Sequence, residues 1–173
     1  MITHFFVFDV ESVGLHGEAY AVAGVVIDGS GTEHLAFKMA VNPAKCEGED
    51  GDRKWIAENV PFIEVTHQES VKMRDSFWSL WLRAKGDYPG IVMASECGWP
   101  VESRFLNSVI DDARHDRNWD GPYPLHDVAS VMLAAGMDPM ATYDRLPNEE
   151  PKHCPLADSR QSARLLLEAL NTL

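Results

Sequence analysis

The chain has 173 residues, 45% hydrophobic and 24% charged, which are ordinary proportions for a soluble globular protein. That length suits a single domain, 1–173, with a core large enough to need no covalent staples. Against 27 acidic residues stand only 15 basic ones, for a formal charge of −12, which argues against coating long duplex DNA, because such binding rests on Lys and Arg neutralising many phosphates. The amino terminus has no basic n-region and no long apolar run, so neither a signal peptide nor a membrane span is expected. Cys46, Cys97 and Cys154 are odd in number, far apart and without a C-x-x-C pair. They suit a reducing compartment, and the cytoplasm is the expected location.

Phe5 to Phe8 form an apolar run that leads straight into Asp9-Val10-Glu11, and such a run predicts a buried strand. Tyr20 to Ile27, the turn Asp28-Gly29-Ser30-Gly31 and Glu33 to Val41 predict a hairpin. The first third is therefore expected to be three antiparallel strands. Residues 42–67 read as irregular, with the acidic, Gly-rich patch Glu47 to Asp52 as a solvated loop. Ser70 to about Lys85 has the apolar spacing of an amphipathic helix, ended by Gly86 and Pro89-Gly90. Ile91 to Ala94 predicts a short buried strand, followed by a helix from about Pro100. A further short strand is expected at Tyr123 to His126, then a helix from about Asp127 to Ala135. Residues 136–154 contain four breakers and read as irregular. A last helix is expected from Pro155 to Leu170. Strands first, then alternating helices and strands, predict an α/β fold with a mixed five-stranded sheet flanked by helices. A loop as long as 136–154 is unusual in a compact domain unless it serves a site.

Residues two apart on a strand share a face, so Asp9 and Glu11 should project side by side from the end of the first strand. Carboxylates held that close repel unless a cation lies between them. Hard oxygen ligands favour Mg²⁺ or Mn²⁺. Near the other end stands His153-Cys154-Pro155-Leu156-Ala157-Asp158, where Pro155 suits the first position of a helix and Asp158 its opening turns. Asp158 can serve as a further carboxylate, and His153 can accept a proton near neutral pH. Glu102, in the first turn of the helix after a buried strand, can bring another carboxylate to the sheet edge, with Glu96 as a rival. The remaining histidines, including His16 near the first motif, show no ligand spacing.

Taken together, these segments resemble the DEDD 3′–5′ exonucleases of the ribonuclease H-like superfamily, in the His-containing, DnaQ-like branch. Asp9 to Leu15 (DVESVGL) is similar to that family's first motif, D-x-E-T-T-G-L. Val101 to Leu106 (VESRFL) is similar to the second, F-D-x-x-F-L, with Glu102 where the family has Asp. His153 to Asp158 follows the third, H-x-x-x-x-D. The resemblance implies a ribonuclease H-like fold and two Mg²⁺ or Mn²⁺ ions held by Asp9, Glu11, Glu102 and Asp158. It implies phosphodiester hydrolysis from a 3′ end with His153 as general base. The partner would be the 3′ end of single-stranded or short DNA or RNA, with Ser12, Val13, Gly14 and Leu15 against the terminal nucleotide and Trp99 available to stack on a base. Members of the family are often dimers, so a homodimer is compatible. The alternative from another class is a non-catalytic ribonuclease H-like domain that binds nucleic acid or protein.

Overall fold

A computed structural model describes residues 4–173. Its centre is a five-stranded sheet of order β3-β2-β1-β4-β5. β1 (His4–Ser12), β2 (Ala19–Asp28) and β3 (Glu33–Ala40) are antiparallel neighbours, while β4 (Val92–Ser95) and β5 (Leu125–Asp127) add parallel to β1 and to each other. Helices α1 (Asp50–Asn59) and α2 (Ser70–Asp87) precede β4, and α3 (Ser103–Asp111) and the single turn α4 (Arg114–Arg117) follow it. Helices α5 (Val128–Ala134) and α6 (Pro155–Leu170) complete the chain.

The alternation along β1 explains why helices cover both faces. Phe6, Phe8 and Val10 enter one core with Phe77 and Trp81 of α2 and Phe105 of α3. Val7 enters the other with Val128 and Met132 of α5 and Ala163, Leu166 and Ala169 of α6. Asp9 and Glu11 continue the Val7 side of the strand, so they face α6. The neighbour on that side is built to come close. β2 presents Ala21 and Ala23 opposite Glu11 and Asp9, and the fully buried Ser159 of α6 shares its one hydroxyl proton between the Ala23 carbonyl at 3.1 Å and the Pro155 carbonyl at 2.6 Å. Such buried bonds contribute about 1 kcal/mol each. This one also fixes the first turn of α6 over the strand pair. Gly24 makes room on the other face, where a Cβ would lie 2.6 Å from the Val7 carbonyl and 2.8 Å from the Phe37 ring.

The predicted elements recur with few shifts, and the last helix has the expected bounds. The main correction is at 42–67. Pro43–Lys45 is a 3₁₀ turn and Asp50–Asn59 is helical, so the acidic patch is no simple loop. Its Asp50 and Asp52 occupy a first helical turn, where negative charge is favoured. The helix begun near Pro100 is also later than expected. Gly98–Glu102 is an irregular turn with Trp99 in extended backbone, and regular helix starts at Ser103. The fifth strand begins at Leu125 rather than Tyr123. No described helix is long and apolar enough to cross a membrane.

Candidate metal centre

β1 outruns its parallel neighbour. The β1–β4 ladder ends at Phe8 and Ser95, so Asp9 to Ser12 border a crevice beyond the end of β4. Crevices at the carboxyl ends of strands, where connections diverge, are the usual sites of α/β sheets. Here α6 supplies the other wall. One carboxylate oxygen each from Asp9, Glu11 and Asp158 lie within 4.8 Å of one another. Asp9 and Glu11 are half-buried, and Asp158 is buried.

Proximity and burial together push these groups towards the protonated form. Desolvation, then the charge of Glu11 and of Glu102, holds the Asp9 carboxyl well above its ordinary range. Desolvation, reinforced by Asp158 and Glu102, raises Glu11 to about 8. Asp158 is raised by desolvation despite the opposing charge of Arg145. A site that frustrates three carboxylates in this way is stabilised by any cation that enters it. The donors are all carboxylate oxygens, with no thiolate or imidazole in the triad, which fits hard Mg²⁺ or Mn²⁺.

Glu102 is not one of the three carboxylates that come together. It is buried and raised to about 7, chiefly by desolvation, with the nearby backbone of Glu102 and Val10 opposing the rise. Glu96 is exposed on the rim of the crevice, yet surrounding protein still raises its carboxyl. The charge of Glu102 weighs more on Asp9 than that of Glu96 does, and Glu102 alone of the two acts on Glu11. Glu102 is therefore the more intimate neighbour of the triad.

A cleft of ≈ 780 Å³ opens over the cluster, walled by Asp9, Glu11, Glu96, His153 and Asp158 and by residues 139–145. His153 precedes α6 with φ of 60°, a left-handed conformation that costs energy for a non-glycine residue and is retained where packing or function requires it. Its ring meets the edge of Trp55 on α1, with centroids 5.5 Å apart. The Ser12–Leu15 turn follows Glu11 directly. Ser12 donates to the Gly14 carbonyl at 2.7 Å, and Gly14 takes φ of 74°. Leu15 is 66% exposed and Trp99 73%, so both can meet a ligand. Val13 cannot do so through its side chain. That side chain is 1% exposed and packed in the core, and the Val13 amide donates to the Glu18 carbonyl.

Two contributors carry no signal in the sequence. Trp55 was hidden in the segment read as irregular. Arg145, in the long 136–154 loop, donates from Nη2 to Asp158 Oδ1 at 2.5 Å and from Nη1 to the Glu149 carbonyl at 2.6 Å. Buried Glu149 is in turn held by Arg164 of α6 at 2.7 and 2.9 Å and by the Leu146 amide. The loop is thus strapped to the helix that carries Asp158. An arginine amid breakers had no spacing that could reveal this.

No protein-family model matches the chain, and no curated protein matches it in sequence. Solved structures do match in shape. Pop2p of S. pombe, in its Mg²⁺- and Mn²⁺-bound form, is 10% identical over 95% of this chain and 81% of its own, with a TM-score of 0.67. The fold is ribonuclease H-like. Exonuclease I, from a structure that addresses its processivity, is 15% identical over 98% of this chain and 43% of its own, with a TM-score of 0.63. A 3′-exonuclease solved in 3′-end-specific recognition of a histone mRNA stem-loop is 17% identical over 98% of this chain and 64% of its own, with a TM-score of 0.57. The chain thus spans less than two thirds of that 3′-exonuclease and under half of exonuclease I.

Proposed function

We propose that this chain is a metal-dependent 3′–5′ exonuclease of the DEDD superfamily, in its His-containing, DnaQ-like branch, acting on single-stranded or short DNA or RNA. The observation that carries the reading is the triad Asp9, Glu11 and Asp158, with oxygens within 4.8 Å across β1 and α6. The shared fold supports it, since the structural neighbours include a 3′-exonuclease, exonuclease I and the Mg²⁺- and Mn²⁺-bound Pop2p.

In this reading Asp9, Glu11 and Asp158 would hold two divalent ions, with Glu102 completing the set. When bound, such ions supply Lewis acidity to the scissile phosphate and its attacking water. His153, on the rim of the same cleft, accepts the proton of that water at a ring nitrogen. Arg145 holds one oxygen of Asp158, so the other would be the one open to an ion. The backbone of the Ser12–Leu15 turn lies against the terminal sugar, with Leu15 against its base. Trp99 offers a stacking face, a contact worth ~1–3 kcal/mol where it forms. The positive charge of the ions also lets an acidic protein meet a polyanion.

The test is a product assay on matched short DNA and RNA strands labelled at the 5′ end, with Mg²⁺ and with Mn²⁺. The expected result is a ladder shortening from the 3′ end, with nucleoside 5′-monophosphates released. Intact strands of both kinds with both metals would overturn the reading.

A further inference from the structure

A second, smaller hollow lies beside the segments that carry Glu11 and Glu102, and its wall mixes two arginines with two glutamates. It encloses ≈ 220 Å³ between Ser12, Glu18, Glu47, Arg74, Arg104 and Ser108, with Val101 and Phe105 beneath. Ser12 is the residue after Glu11, and Val101 the residue before Glu102. Along the helical turns that lead into and form α3, residues 101, 104, 105 and 108 share one face, while Glu102, Leu106 and Val109 share another. The segment that brings Glu102 to the metal site thus turns Arg104 to the hollow.

Arg104 differs from the other arginines of this chain. Every other one lies within ion-pair distance of a carboxylate. Arg104 has no such partner among the described residues, although the chain carries 27 acidic residues. Its neighbour in the hollow, Arg74, is fully engaged, at 2.5 and 2.9 Å from Asp112 and 3.4 Å from Glu18. Glu18 is spent on Arg74 and on the Glu47 amide. Glu47 is the remaining carboxylate in the hollow, and it is exposed and extends to solvent. The guanidinium of Arg104 is therefore a free fork of donors, of the shape that binds phosphate in a bidentate manner.

We propose that this hollow binds a phosphodiester of the substrate strand other than the one cleaved, with Arg104 as its cationic donor. The inference rests on the nuclease reading for the identity of the ligand. It implies a substrate longer than one nucleotide, gripped on both sides of Ser12. It also explains how a chain of net charge −12 retains a strand while its other arginines are neutralised internally.

The test is binding of a 5′-labelled single-stranded oligonucleotide, DNA and RNA, by fluorescence anisotropy across a salt series with Ca²⁺ present. Arg104→Gln should weaken binding roughly tenfold, the size of one lost charge-assisted hydrogen bond. It should also flatten the slope of log K against log salt by ~0.7, as expected for one phosphate contact on a single strand. Arg104→Lys should keep the slope. Lys38→Ala, which removes an exposed charge on the edge strand β3, should leave affinity and slope as in the wild type. In Mn²⁺, Arg104→Gln should lower kcat/KM for the oligonucleotide relative to that for the p-nitrophenyl ester of thymidine 5′-monophosphate, which has a single phosphate. An Arg104→Gln slope and substrate ratio equal to wild type would overturn the site. Hydrolysis of both substrates by wild type in that case would leave the nuclease reading standing. An Arg104-dependent slope with no hydrolysis of either substrate would overturn the nuclease reading and uphold the site. Wild-type protein that binds no strand at all would overturn both.

Discussion

Asp9, Glu11 and Asp158 sit on β1 and α6, in the packed middle of the molecule, whereas Glu96, Arg145, Lys152 and His153 sit on the turn after β4 and the 136–154 loop. The first group is fixed by strand register and by the Ser159 bond to β2. The second is held by side-chain straps such as Arg145–Glu149–Arg164. Fixed elements hold groups at separations that do not change, and loops hold groups that must meet a substrate. The carboxylates pay for this rigidity with mutual repulsion that they cannot relax. The loop groups, in contrast, can be altered without disturbing the core.

The largest expected effect lies in the rigid half. Asp9→Asn should lower kcat by roughly 10³-fold or more, the several kcal/mol that Lewis-acid chemistry supplies. The same substitution should raise the melting temperature in chelator, because it removes a charge from a crowded, desolvated cluster. A loss of both activity and stability would mean that Asp9 is a packing residue. His153→Ala, in the loop half, should cost ~10²–10⁴-fold in kcat, the range for a general base. Its Mn²⁺ affinity and melting temperature should stay near wild type. A matching fall in Mn²⁺ affinity would place His153 among the ligands instead.

Arg145→Met joins the two halves, because it cuts the strap where the loop meets Asp158. Expected is a ~10–100-fold weaker Mn²⁺ affinity, the usual cost of losing a partner that orients a ligand. Much of the lost kcat should return at saturating Mn²⁺, and no recovery would mean that Arg145 acts elsewhere. The smallest effect is on pH dependence. Glu11 is raised to about 8 and Glu102 to about 7, above the ~4.3 of an unfolded glutamate. The folded, metal-free protein therefore binds more protons than the unfolded chain. Stability from these groups is full below the ordinary carboxylate range and is lost as pH rises through 7 and 8. Asp28, Asp75 and Glu149 shift downward and lose their contribution only in acid. The melting temperature in chelator should thus fall between pH 5.5 and pH 8.5, and Mn²⁺ should abolish that fall. A flat or rising profile in chelator would refute the electrostatic account of the cluster.

The two halves also differed in how far the sequence revealed them. Phe5 to Glu11 could be read because an apolar run followed by alternating acids has one geometry, and Pro155 to Leu170 because Pro155 marks a helix start. Each carboxylate of the triad lies on one of these two elements. α1 escaped because Gly48, Gly51 and a run of acids resemble a solvated loop, although a single buried residue, Ile56, is enough to seat the helix. The role of Arg145 depends on contacts with Asp158 and Glu149 that no local pattern encodes. Val13 was placed against the substrate with its neighbours, but the register shift between Glu11 and Ser12 breaks the strand alternation and its side chain enters the core.

The most direct measurement is a calorimetric titration of the metal-free protein with Mn²⁺ at pH 8, alongside Asp9→Asn. The account predicts two sites in the wild type, with binding lost or reduced to one weak site in the variant. A wild-type protein that takes up no Mn²⁺ would contradict it, and would leave a ribonuclease H-like domain that binds without cleaving.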